Sequence, residues 1–186
     1  MLASVPGPSE VLLSLEGSKR LFLGKSDGHS FYRPGPSGTW SAALAIFYIL
    51  PAHLLMVWLE KDAGLGRLII EAEALIIGWF AYGLAAAVVL RVMGISQFLE
   101  RFLTAIYWTS VPIVYVLLGL VLVFKSGLVP TGVETILTLG IVSANIWYLW
   151  FIAKSALEIS GYQAGGIAFA SILFEIVLDL LITRGV

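Results

Sequence analysis

Residues 161–182 read GYQAGGIAFASILFEIVLDLLI, and this stretch decides what kind of chain surrounds it. As a helix rising about 1.5 Å per residue, it is long enough to cross a hydrocarbon core of about 30 Å. It also carries two acids, Glu175 and Asp179, four residues apart and so on one helical face. A carboxylate at such depth is expensive in lipid, so it has to meet protein, water or a cation. An apolar helix with acids on one face therefore calls for other helices around it.

The rest of the chain supplies them. It is 59% hydrophobic and 12% charged, where a soluble domain has roughly a quarter of its residues charged. Four further apolar runs precede the last one, at 40–59, 68–90, 103–124 and 133–153. They are continuous, not alternating, and the links between them are short, which excludes a barrel. The expected fold is an all-α, polytopic membrane helix bundle: five transmembrane helices over 40–182, preceded by an interfacial helix or loop over 1–39. Pro51 and Pro112 fall inside the first and third spans and predict kinks. No internal repeat is visible.

In the N-terminal segment, Ser9 is a candidate cap with Glu10 in the first turn behind it. Val11, Leu12, Leu15, Leu21 and Phe22 then form the apolar side of a helix lying on the membrane, or the segment is a tail packed on its own spans. Residues 24–39 are dense in Gly, Pro and Ser and read as loop, with Ser37 or Thr39 capping the first span. The start of the chain lacks the basic and apolar regions of a secretory signal, so the internal spans are expected to drive insertion. The polar stretch 60–67 reads as a tight hairpin, and 91–102 as an interfacial connector.

Several function classes drop out. A net charge of −1 leaves no basic footprint, so no nucleic-acid partner is expected. With no cysteine and only His29 and His53, thiolate catalysis and Cys- or His-rich metal sites are excluded. GxSxG, HExxH, Walker A and GxGxxG patterns are missing, so neither an enzyme nor a cofactor is expected. His29, beside Asp27, has the chemistry of a base but reads as a solvated loop residue.

Lys19, Arg20, Lys25, Arg33, Arg91, Arg101 and Lys154 fall on the N-terminal side of the bundle, against Lys61, Arg67, Lys125 and Arg184 opposite. That excess predicts a cytoplasmic N-terminus. The same topology puts Glu175 and Asp179, Glu71 and Glu73, His53 and Arg67 in one outer leaflet. As a cluster they suit a proton or cation relay, or a cationic headgroup. Alternatively they are interfacial groups paired with Arg67 or Arg184, or an acid waiting for a basic group on another subunit. Asn145 reads as interhelical hydrogen-bond glue, and Gly166 and Ala170, with Ala164 and Ala168, as a small-residue packing face. Trp147, Tyr148, Trp150 and Phe151 read as an interfacial aromatic belt.

Two stretches carry a family likeness: GISQFLERFLTAIYWTSVPIVYVLL, an amphipathic connector into a Pro-containing aromatic span, and WYLWFIAKSALEISGYQAGGIAFAS, an aromatic-ended span turning into a small-residue one. Over roughly residues 37–182 the pattern resembles the Yip1 family of five-span membrane proteins, in its bacterial branch of unknown function. The likeness lies in hydropathy, length and a few residue types. It implies five helices, a bacterial inner membrane and no catalytic residues. The resulting expectation is a non-enzymatic accessory or scaffold subunit, with membrane lipids and other membrane subunits as partners. The alternative is a small transporter or proton/cation conductor using the intramembrane carboxylates.

Overall fold

The computed structural model describes residues 6–60 and 64–183. Among these there are seven α-helices and no strand: α1 (Pro8–Phe22), α2 (Gly35–Ala43), α3 (Ile46–Trp58), α4 (Leu65–Val92), α5 (Leu99–Lys125), α6 (Thr131–Leu157) and α7 (Gly161–Thr183). Short 3-10 turns, Ser26–Phe31 and Ser96–Phe98, precede α2 and α5. With α2 and α3 counted as one interrupted span, five helical segments are long and apolar enough to cross a membrane. The fold is an all-α membrane bundle.

Helix α5 is its hub, packing on α1, α2, α3, α4 and α6, while α7 packs chiefly on α6 and α4. The largest fully buried side chains, Trp108, Tyr148 and Phe102, come from α5 and α6 and sit with Leu21, Leu90 and Ile152 at the end of the bundle that holds the N-terminal helix.

The first span is broken at Leu44 and Ala45 and not at Pro51, which sits inside an unbroken α3. Phe47 N–H bonds to Leu44 O, so Ala43 O loses its helical donor, and Trp79 Nε1 donates to it at 2.9 Å. A side chain from α4 thus satisfies the carbonyl that the break exposes. Helix α5 runs uninterrupted through Pro112.

Several boundaries move. The loop expected over 24–39 is largely helical, because Pro36 in the first turn of α2 has its φ preset for a helix. Neither Ser37 nor Thr39 caps it; Pro34 precedes the helix, and Thr39 Oγ1 meets Thr104 Oγ1 at 3.2 Å. Ser9 is likewise inside α1, which starts on Pro8. Leu65, Gly66 and Arg67 belong to α4, and most of the 91–102 connector is taken up by α4, the second 3-10 turn and α5. Lys61 and Arg184 lie outside the described residues.

Helix α1 packs on its own spans through Leu21, with Val11 and Leu15 half-buried beside it, and through a run of small residues that hydropathy does not single out. Ser14, Gly17, Ser18 and Leu21 are buried, and Leu12 and Leu13 point outward. Small residues allow close approach: a Cβ on Gly17 would stand 2.8 Å from Gly28 O, and one on Gly28 would stand 2.6 Å from Gly17 O. Tyr32 and Tyr148 follow into the gap, hydrogen-bonding Ser18 Oγ at 3.1 Å and Ser18 O at 3.2 Å. Tyr148 is therefore core, stacked on Phe22 at 3.8 Å, and not part of an aromatic belt. In apolar surroundings, close backbone contact and hydrogen bonds hold helices together better than apolar area does.

Candidate functional site

Between α3, α4, α5, α6 and α7 lies a cavity of about 450 Å³. His53 and Glu71 line it from α3 and α4, Glu175 from α7 and Asn145 from α6. Trp79, Tyr82 and Tyr107 form an aromatic wall, and most of the remaining lining is aliphatic. Asn145, Ile146 and Glu175 are all exposed although they line it, so the cavity opens sideways between α6 and α7.

The charged side chains are set by helical spacing. Arg67 and Glu71 are one turn apart on α4, with Arg67 Nε 3.8 Å from Glu71 Oε1. Arg67 also binds Glu60, just beyond α3, and His53 Nε2 stands 3.8 Å from the other Glu71 oxygen. That separation is too long for a hydrogen bond, and His53 Nε2 is buried with no hydrogen-bond partner. Glu175 has no ion pair and no hydrogen bond among the described residues.

The six residues predicted as one cluster thus separate. His53, Glu71 and Arg67 come together, and Glu175 shares the cavity with His53 and Glu71. Glu73, two residues from Glu71 and so on another side of α4, is exposed outside the cavity. The side chain of Asp179 lies outside the described residues.

The packing residues are redistributed as well. Ala164, Ile167, Ala168 and Ser171 form the buried face of α7, at helical spacing. Gly166 and Ala170 are exposed, because residues two apart lie on different sides of a helix. Asn145 makes no hydrogen bond to another span among the described residues; it stands exposed on α6.

Sequence reading missed the aromatic wall. Its signal was the spacing of Trp79 and Tyr82, three apart on the helix that carries Glu71. Their polar atoms are used internally. Trp79 donates to Ala43 O, Tyr107 Oη donates to Trp79 O at 3.3 Å, and Tyr82 Oη meets Ser171 Oγ at 3.0 Å.

Another polar cluster closes the N-terminal end. Arg101 donates from Nε to Ala156 O at 2.6 Å, from Nη2 to Ser155 O at 2.7 Å and from Nη1 to Glu158 Oε1 at 2.9 Å. It caps the last carbonyls of α6, whose chain turns through Glu158 at φ 56°. His29 is half-buried against Ser155 Oγ at 2.9 Å and is not a solvated loop residue. Burial, and then the charge of Arg101, hold its imidazole down to about 4. Burial raises the Tyr32 phenol above its ordinary value.

Among the described residues no group of three His, Asp or Glu side chains is placed to hold a metal ion. No protein-family model matches the chain, and comparison with curated proteins and with solved structures finds no similar one.

Proposed function

We propose that this chain is a non-enzymatic accessory or scaffold subunit, Yip1-like in architecture, that associates with a larger complex in a bacterial inner membrane. The supporting observation is α6. Over residues 132–147 it is exposed except at the half-buried Glu134 and Ile141. Thr138 and Asn145, seven residues apart and so on one face, are both exposed on this stretch. Hydrocarbon offers their polar atoms no partner, whereas a neighbouring helix can, for about 1 kcal/mol per hydrogen bond. Gentle solubilisation of the native membrane tests this: the tagged chain should travel with defined larger subunits, and Asn145→Leu should release them. Recovery of the wild-type chain only as a lone monomer would overturn the reading.

A cytoplasmic N-terminus is part of the proposal, supported by the excess of Lys and Arg on that side. Because the chain has no cysteine, a single Cys at Lys125 gives an unambiguous label. It should react with an impermeant maleimide from outside, and one at Ser26 should not.

The second reading, a proton or cation conductor, is favoured by His53, Glu71 and Glu175 sharing one cavity. Against it, the cavity's floor at Tyr148 and Ile152 is fully buried, and Ser18 of α1 covers Tyr148. Flux in reconstituted vesicles that is lost in Glu175→Gln would select it over the scaffold.

A further inference from the structure

The cavity itself has the properties of a ligand site, which goes beyond the accessory-subunit reading and does not depend on it. Its volume of about 450 Å³ is within the roughly 300–1,000 Å³ usual for small-molecule sites, and such sites combine an apolar lining with a few placed polar groups. It opens between α6 and α7 in the membrane-crossing part of the bundle, so an occupant arrives from the bilayer.

The wall also determines which polar group that occupant carries. Trp79 spends its N–H on Ala43 O, Tyr107 its hydroxyl on Trp79 O, and Tyr82 its hydroxyl on Ser171. Thr109 and Ser110 donate to Ile106 O on their own helix. Glu71 already has Arg67 and His53 beside it. His53 Nε2 has no hydrogen-bond partner but is enclosed beside Glu71. Glu175 and Asn145 are the exposed lining groups left with hydrogen-bonding capacity unused among the described residues. A carboxylate and an amide oxygen accept hydrogen bonds and favour positive charge. An anionic occupant would face both Glu175 and Glu71, and an uncharged one would leave Glu175 without a counter-ion in apolar surroundings, which is costly.

We propose that the cavity binds a membrane-borne amphiphile with a single cationic amine, its apolar chain against the Trp79–Tyr82–Tyr107 wall and its ammonium on Glu175, with the Asn145 side-chain oxygen as second acceptor.

Native mass spectrometry of the purified chain, released from a neutral detergent, tests this with three probes of equal chain length: dodecylamine, dodecanol and dodecanoate. One dodecylamine should bind per chain, about tenfold more tightly than dodecanol, as expected for a charge-assisted hydrogen bond, with dodecanoate weakest. Glu175→Gln should bring dodecylamine down to the level of dodecanol and leave dodecanol unchanged. Glu73→Gln, outside the cavity, should change neither. Ala74→Phe, which fills the cavity from α4, should lose both. Equal binding of amine and alcohol to the wild-type chain would overturn the proposal without any variant. So would an amine preference that survives Glu175→Gln, or amine binding untouched by Ala74→Phe.

Discussion

At the end of the bundle that holds α1, Trp108, Tyr148, Phe102, Ile152 and Leu157 are essentially inaccessible, and α1 and the 3-10 turn after it approach backbone to backbone. Towards the other end, α6 stands apart from its neighbours and a cavity opens beside α7. Mean hydropathy is high in all five spans and does not explain the difference. The two ends differ in small residues and hydrogen bonds. Gly17, Gly28 and Ser18 let backbones meet at one end, and the last turn of α6 is capped there by Arg101. In a bilayer, apolar area gains little by moving from lipid to protein, so helices join where atoms fit and polar groups pair.

The contrast can be broken most directly with truncations. Trp108→Ala should cost about 4 kcal/mol, as large-to-small changes in packed cores do. Ile136→Ala, on the exposed part of α6, should cost less than about 0.5 kcal/mol. Unfolding in mixed micelles measures both, and equal losses would erase the distinction between the two ends. Gly28→Ala should come next, at about 2–3 kcal/mol, since its methyl group would be driven into the Gly17 carbonyl. Protease cleavage within residues 1–39 should become faster in that variant. Unchanged cleavage would mean that the close approach is not what docks α1.

Acid should loosen the same end. His29 is held at about 4 in the folded chain, against 6.5 unfolded. The unfolded form therefore binds more protons between those values. Its contribution is fully present above about pH 7 and is lost as pH falls, by about 2 kcal/mol at pH 5. His29→Gln should flatten this slope; an unchanged slope would assign the loss to other groups. The smallest effect is expected at the α6–α7 turn. Glu158→Gly relieves a left-handed backbone at φ 56° and gives up only an exposed ion pair to Arg101. A gain of about 0.5 kcal/mol is expected, and a loss would show that the Glu158–Arg101 pair outweighs the strain.

Much of this was legible before folding. The five apolar runs called for five helices long enough to cross a membrane, and depth put Arg67 and Glu71 in one leaflet, although Arg67 reads as part of the hairpin before α4. Depth alone could not separate Glu71 from Glu73, because a leaflet says nothing about azimuth around the helix. In the N-terminal helix, Leu21 of the apolar side is buried, but Ser14, Gly17 and Ser18 complete the packed face, because serine and glycine are what allow a backbone to come close. Arg101 and His29 were read by charge and loop position, and their partners Ser155 and Ala156 are more than fifty residues away.

The sequence by itself determined that this is a chain of membrane-crossing helices with acids near one end, because transfer to hydrocarbon is a property of each segment, whatever its neighbours. Only the tertiary structure decided which acids keep a counter-ion, where the first span breaks, and that α6 and α7 part to leave a cavity where Glu175 has no partner among the described residues. Those outcomes depend on which helix stands beside which and in what rotation, and hydropathy holds no record of either.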